Sequence, residues 1–533
     1  MTSNVTSSQP QTFAVTTPLY YVNDVPHMGS AYTTIAADVI ARFNRLQGHD
    51  TLSITGTDEH GQKIQRTAEA VGRPPQDHCD DIAEKFAELW QKLNIQYNRF
   101  SRTTAPRHEA IVKEFFQRVW DKGDIYLGQQ KGFYCVACEE FKEEKDLLDE
   151  NHCPLHPNRQ AEWRDEENYF FRLSNYQSKL EELYATNPDF IQPKIRRNEV
   201  LSFVSRGLQD FSISRINLDW GFPVPTDPSH TLYVWFDALL GYVTALLEPD
   251  EEPTLANALK HWWPISLHLI GKDILRFHAV YWPAMLMSAD LPLPGKVFGH
   301  GFLTKDGQKM SKSLGNVLDP VALTQTYGAD AIRYYFTKEI ELGRDGDFSE
   351  VRFINILNAD LANDLGNLLN RTLGMAKKYC NSTIPDLNIA TIPLENPLKS
   401  NGTTLGDEVS HAYENLCFSQ ACNRILSLVR AANKYLDDEA PWSLYKKGEQ
   451  EAVNIILYSV LESVRLAAYF LAPIIPGLST KIYQQLGFDA DFDTLSKIAQ
   501  DFPFDQQSQW GVLPTNQTLQ AAKPIFQKLE MPT

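Results

Sequence analysis

The chain has 533 residues, 43% of them hydrophobic and 22% charged, with a formal net charge of −17. That length exceeds a single core, so about two to four domains are expected, of ordinary globular composition. The acidic balance excludes an indiscriminate nucleic-acid coat, which needs clustered Lys and Arg, but leaves room for a specific RNA met by local basic patches such as PKIRR (193–197).

The N-terminal MTSNVTSSQPQTF has no Lys or Arg and no apolar run, so it is not read as a signal peptide. FAVTTPLYYV (13–22) predicts a buried strand, followed by a loop through Asn23 and Pro26. Ala31, Ile35, Val39, Ile40, Phe43 and Leu46 recur at helical spacing and predict a helix over about 29–47, ended by Gly48. DTLSITGTDEHG (50–61) predicts a second strand ending in polar residues, and KIQRTAEAVG a further helix. This alternation is the pattern of an α/β parallel sheet, whose ligands bind at the carboxyl ends of the strands. Residues 126–165, with many charges and a cysteine cluster, read as an inserted module, and a mixed segment follows to about 225. Strand–helix alternation returns near 231–243 and 265–282. Beyond about 350 the periodicity is helical, as in a bundle, with 381–407 expected as a loop within it. LAAYFLAPIIPGL (466–478) is too short to span a membrane. No repeat at a solenoid period is present.

Three motifs carry chemistry. His27 and Gly29 stand where a helix begins, and helix N-termini present unpaired N–H groups that suit a phosphate. The alternative is a loop histidine followed by a capping Ser30. In KMSKS (309–313), with glycines at 299, 301, 307 and 315, Lys309 and Lys312 can meet one anion on a closing loop, or form a solvated basic turn. Asp319 and Pro320 after it read as a helix cap and first turn. Cys135, Cys138, Cys153 and His156 have the spacing of a closed tetrahedral zinc site, structural because no position is left for water; His152 is the alternative fourth ligand. The other cysteines, Cys79, Cys380, Cys417 and Cys422, are scattered, which suits a reducing, cytoplasmic setting.

In order, PHMGS (26–30), GTDEHG, VWFDALLGY and KMSKS resemble the methionyl-tRNA synthetases of class I. NEVLSFVSRGLQDFSISR (198–215), HLIGKDILRFHAVYWPAML (268–286), NLLNR and APW extend that resemblance over roughly 13 to 480. It implies a Rossmann-type parallel-sheet catalytic domain with an inserted zinc-knuckle module, followed by an α-helical anticodon-binding bundle. The expected divisions are 1–125 and 226–298 for the two catalytic halves, 126–225 for the insertion, 299–355 for the KMSKS loop and stem contact, and 356–533 for the helical domain and tail.

The activity implied is ATP-dependent activation of L-methionine and transfer of the methionyl group to tRNA(Met), with Mg2+ accompanying ATP. His27, Lys309 and Lys312 would be catalytic. Gly29, Ser30, Gly271, Asp273 and His300 would complete the ATP site. Asp58 would hold the substrate ammonium. Leu19 and Tyr242 would meet the sulfur, with Tyr21, Trp235, Ala238, Ile274, His278 and Trp282 as walls. Asn367, Arg371 and Trp442 would meet the anticodon. A soft thioether favours such aromatic surroundings, and exposed single-stranded bases are read by edge hydrogen bonds and stacking.

Two departures stand out. Ser30 replaces the second histidine of the family signature, and the chain ends soon after the bundle, for which a monomer is the expectation. Two other readings compete: a class I synthetase for another amino acid such as cysteine, and a catalytically silent tRNA-binding or regulatory paralogue.

Overall fold

The computed structural model describes residues 11–142, 144–154, 156–216, 218–310, 316–493 and 499–531. The strands named here, in chain order, are β1 (Thr12–Tyr21), β2 (Asp50–Asp58), β3 (Arg99–Arg102), β4 (Ile125–Cys135), β5 (Glu162–Phe171), β6 (Ile191–Gln192), β7 (Leu267–Gly271) and β8 (Val297–His300). The helices are α1 (Met28–Leu46), α2 (Gln62–Ala70), α3 (Val234–Ala238), α4 (Asn367–Tyr379), α5 (Pro397–Glu414), α6 (Phe418–Glu439) and α7 (Gln450–Leu471).

A six-stranded parallel sheet runs β3-β2-β1-β7-β8-β6. The order reverses between β1 and β7, and such a reversal opens a crevice at the strands' carboxyl ends. The β1–β2 register shifts between Thr16 and Leu19, around Pro18, which has no N–H to give the ladder. This irregularity re-aims Leu19, Tyr20 and Tyr21 at the crevice.

α1 packs against the sheet and is buried almost all round. Its middle turns hold a buried ion cluster. Asp38 meets Arg42 at 2.7 Å and Arg333 at 2.6 Å. Arg333 also donates to the carbonyls of Pro473 and Ile474, each at 2.8 Å, and Arg42 to that of Phe492 at 3.1 Å. Burial pushes the Asp38 carboxyl up, but the two guanidiniums outweigh it and hold it below the usual range. The cluster is therefore a charged cross-link between the helix at the crevice and the C-terminal bundle.

The insertion is a long antiparallel hairpin of β4 and β5, in register from Ile125↔Phe171 to Tyr134↔Glu162. The cysteine cluster lies at its far end. The bundle is built on α4 to α7. α7 is the one helix among the described residues long and apolar enough to cross a membrane, and most of it is buried inside the bundle. The expected loop over 381–407 is shorter than its composition suggests, because α5 starts at Pro397. Asn396 accepts from the N–H groups of Leu398 and Lys399, and Pro397 fills the first helical position, so this polar run starts a helix.

Candidate active site and recognition surface

A cavity of about 470 Å³ opens at the ends of β1 and β7. It is lined by ten of the expected residues: Leu19, Tyr21, His27, Gly29, Ser30, Trp235, Gly271, Asp273, Ile274 and His300. Lys63 lines it as well, a residue the motif reading passed over inside the helix after GTDEHG.

On the anion side, His27 is the N-cap of α1. Its Nδ1 accepts from the Gly29 N–H at 3.0 Å, which leaves Nε2 to carry the proton of the neutral ring. A Cβ on Gly29 would lie 2.8 Å from His27 Cε1, so glycine makes this ring position available. Ser30, which stands in place of the second histidine of the family signature, is the third residue of the first turn of α1. Its hydroxyl accepts from the His27 N–H at 3.2 Å and donates to the His27 carbonyl at 2.7 Å, and the residue is buried. This is the capping arrangement, which frames the turn.

His300 donates through Nδ1 to the Gly301 carbonyl at 2.8 Å and accepts at Nε2 from Thr33 of α1 at 2.7 Å. Burial lowers its pKa, so the ring is a neutral strut between β8 and α1. At Gly271 a Cβ would meet the Asp273 carboxylate at 2.4 Å, so the glycine leaves room for that acid at the cavity mouth.

The turn DEHG lies behind Tyr21 of the cavity wall, Asp58 facing Tyr21 across the β1–β2 ladder, and none of its four residues lines the cavity. Asp58 is buried, with Oδ1 lacking any hydrogen-bond partner. Burial, then the charges of Asp237, Glu139 and Glu59, push its carboxyl well above the ordinary range. Such a group wants a cation. Its neighbours are pinned. Glu59 takes a two-toothed contact from Arg102 at 2.7 and 3.0 Å. His60 bonds to Asp237 at 2.6 Å, and Asp237 takes His108 on its other oxygen at 2.7 Å. The histidines hold Asp237 at about 2 in spite of its burial. Gly61 has φ 104°, a region that favours glycine.

Behind the cavity wall, Tyr242 donates to His278 Nε2 at 2.8 Å while His278 Nδ1 donates to the Ile274 carbonyl at 3.1 Å. Burial drops the His278 pKa to about 4, so this pair is uncharged at neutral pH. His278 sits in a π-helical turn, Phe277–Tyr281, a widened geometry frequent at functional sites. Trp235 stacks on Phe277, with ring centroids 3.9 Å apart, and meets Tyr21 edge-on at 6.2 Å. Ala238 is buried at the end of α3, and Trp282 is packed against Phe115 and Trp263.

In the loop after β8, Lys309 ends a short strand paired with Thr304. Lys312, Ser311 and Ser313 lie outside the described residues. Asp319 caps the following helix through the N–H groups of Val321 and Ala322, as its sequence implies.

At the end of the hairpin, Cys135, Cys138, Cys153 and His156 present ligand atoms that all lie within 4.8 Å of one another. Cys138 Sγ is 3.5 Å from Cys153 Sγ and 3.2 Å from His156 Nδ1. Ligands at zinc distances of about 2.3 Å for sulfur and 2.0–2.1 Å for nitrogen, tetrahedrally arranged, are separated by this order of length. The donor set therefore fits one zinc ion. His152 is not part of the cluster; its Nδ1 pairs with the Asp149 carbonyl at 2.9 Å.

In the bundle, Asn367 and Arg371 are one turn apart on α4 and both exposed. Arg371 reaches Asp437 of α6 at 2.5 Å. α6 then ends at Ala440, in the left-handed region, and Pro441 starts a turn that leaves Trp442 37% exposed. The Arg371–Asp437 contact thus brings the three expected residues to one end of the bundle.

A family model described as "tRNA synthetases class I (M)" matches residues 13–162 and 143–373, and one described as "Anticodon binding domain of methionyl tRNA ligase" matches 390–532. The chain is 71% identical to the methionine–tRNA ligase of Synechocystis sp., over 98% of each chain. It is 67% identical to that of Nostoc sp., over 99% of each. Among solved structures, Mycobacterium tuberculosis methionyl-tRNA synthetase in complex with methionyl-adenylate superposes with a TM-score of 0.89 at 39% identity, covering 97% of this chain and 99% of that one.

Proposed function

The chain belongs to the methionyl-tRNA synthetase family of class I, and from that premise we propose the following division of labour for methionine activation and tRNA charging. Asp58 takes the ammonium of L-methionine. The thioether lies against Leu19, Tyr242 and the aromatic wall, where an uncharged Tyr242–His278 pair suits a soft, nearly neutral sulfur. The methionine carboxylate attacks the α-phosphorus of ATP; the bond to the β-phosphate bridging oxygen breaks, and pyrophosphate leaves. His27 Nε2–H, the α1 N-terminus, Lys309 and Lys312 stabilise the charge that grows on the phosphates. Gly29, Gly271, Asp273 and His300 seat the adenosine, and Ser30 keeps the turn in shape. In the second step the 2′-hydroxyl of the terminal adenosine of tRNA(Met) attacks the methionyl carbonyl and AMP leaves. Asn367, Arg371 and Trp442 meet the anticodon.

Cys135, Cys138, Cys153 and His156 hold a zinc ion, which supplies folding energy to the hairpin end. Mg2+ enters with ATP as its counter-ion. A cytoplasmic location fits the reduced cysteines. The catalytic halves are 1–125 and 226–298, interrupted by the insertion 126–225, from which β6 returns to the edge of the catalytic sheet beside β8, and followed by the loop region 299–355 and the helical part 356–533.

The observation that carries this reading is the unpaired buried carboxylate oxygen of Asp58, whose neighbour across the β1–β2 ladder, Tyr21, lines a cavity that also holds a capped helix N-terminus. Amino-acid-dependent ATP–pyrophosphate exchange tests it: methionine is expected to support the fastest exchange. Faster exchange with cysteine or another amino acid, or none with methionine at saturating ATP, rejects it.

A further inference from the structure

The cysteine–histidine knuckle and the amino-acid pocket meet at one residue, Glu139. It follows Cys138 directly, has φ 54° and is 3% exposed. Its Oε1 accepts the main-chain N–H of Lys63 at 2.6 Å, its Oε2 accepts the Tyr134 hydroxyl, and its main-chain carbonyl accepts the Tyr233 hydroxyl at 2.6 Å. These partners belong to different pieces of the pocket. Lys63 stands in the first turn of α2, lines the cavity and lays its ammonium 5.1 Å from the centre of the Tyr21 ring. Tyr233 is the N-cap of α3, which carries Trp235. The substrate turn is shaped around the carboxylate as well, since a Cβ on Gly61 would lie 3.0 Å from Glu139 Oε1.

The knuckle controls how Glu139 leaves the hairpin. The Cys138 N–H returns to the Cys135 carbonyl at 3.1 Å and the Glu139 N–H to the Val136 carbonyl at 3.3 Å, a tight turn between two of the metal-binding thiols. A tetrahedral ion fixes those thiols relative to each other. Among the described residues, Glu139 then passes that geometry to both α2 and α3.

We propose that Glu139 is a positioning residue for the amino-acid substrate: it couples the metal-held knuckle to Lys63 and Tyr233, so that filling the knuckle tightens the pocket for the amino acid. The inference rests on the reading of this pocket as the methionine site. The hydrogen bonds of Glu139 reach Lys63, Tyr134 and Tyr233 and none of His27, Gly29, Gly271 or Asp273, so the expected effect is on the amino acid rather than on ATP.

The test compares zinc-loaded and chelator-treated protein as wild type, Glu139→Gln and Tyr233→Phe. Methionine binding is read from intrinsic tryptophan fluorescence, to which Trp235, one of ten tryptophans, contributes at the cavity, and KM values for methionine and ATP from pyrophosphate exchange; thermal midpoints confirm folding. Removing zinc from the wild type is expected to weaken methionine binding about tenfold, the order of one or two buried hydrogen bonds, with the KM for ATP within about twofold. Glu139→Gln, which weakens the carboxylate contacts with Lys63 and Tyr134 but keeps the main-chain bond to Tyr233, is expected to lose part of that affinity with zinc bound and to show a smaller zinc effect than the wild type. Tyr233→Phe, which removes a single hydroxyl, is expected to lose about threefold in methionine affinity only.

Wild-type affinity in Glu139→Gln overturns the proposal. So does an unchanged zinc effect in that variant, or equal losses for methionine and ATP in both variants. A zinc-loaded wild type that binds no methionine at all defeats the functional reading itself, an outcome distinct from normal binding that is indifferent to Glu139.

Discussion

At the pocket, Asp58, Tyr242 and His278 are buried, and most of the polar groups around them are already paired. At the tip of the bundle, Asn367, Arg371 and Trp442 face solvent, and Arg371 is paired through an exposed contact with Asp437. The first region is prepared before the substrate arrives, and its few unmet groups are worth much because water cannot replace a partner. The second is open, so each contact there is weaker, screened by salt and dependent on how many act together.

This contrast can be broken in stages. Asp58→Ala should have the largest effect. Removing one member of a buried ion pair costs about 3–5 kcal/mol, so methionine-dependent exchange should fall by roughly a thousandfold while ATP binding persists. A drop below tenfold would move the ammonium site elsewhere.

Arg371→Ala should lower tRNA charging by about tenfold to a hundredfold, leave pyrophosphate exchange nearly intact, and make charging less sensitive to salt. Equal losses in both assays would remove recognition from the bundle tip.

The pH dependence of methionine affinity sharpens the pocket side. Empty Asp58 keeps its proton to a higher pH than a free carboxyl, because it is buried among Asp237, Glu139 and Glu59. An ammonium favours the ionised form, so binding releases a proton. Affinity should rise as pH climbs toward the raised pKa of the empty site and flatten above it. Titration calorimetry in buffers of different ionisation enthalpy measures the released proton; none released would contradict the burial argument.

The smallest effect belongs to Ser30→Ala. Losing the N3 half of the capping box removes about one hydrogen bond, roughly 0.5–1.5 kcal/mol of stability, and exchange should change by less than about tenfold. A thousandfold loss would show that the hydroxyl acts on the phosphates instead.

The alternation that yields β1, α1 and β2 was legible because a buried strand and an amphipathic helix leave different periods in the sequence. The cysteine–histidine spacing was legible because tetrahedral chemistry allows few short turns. Lys63, Asp237 and Glu139 were not. Each works through a partner remote in the sequence: His60 with Asp237, Glu139 with Lys63 and Tyr233. No local pattern encodes such contacts. GTDEHG held a partial signal, since four polar residues ending a buried strand each need a reason. Ser30 was readable as a cap or as a phosphate ligand, and only the position of its hydroxyl decides. The polar, helix-poor residues of 381–407 mask the Asn396–Pro397 start signal, which is why composition alone points to a loop longer than the one that ends at Asn396.

The cluster of Asp38, Arg42 and Arg333 lies out of reach of solvent ions, so added salt should loosen the grip on RNA well before it disturbs the joint between crevice and bundle. If the crevice and the bundle tip hold the two ends of one tRNA, this cluster acts as the screw of a caliper: it sets the gap between the jaws, and ionic strength does not turn it.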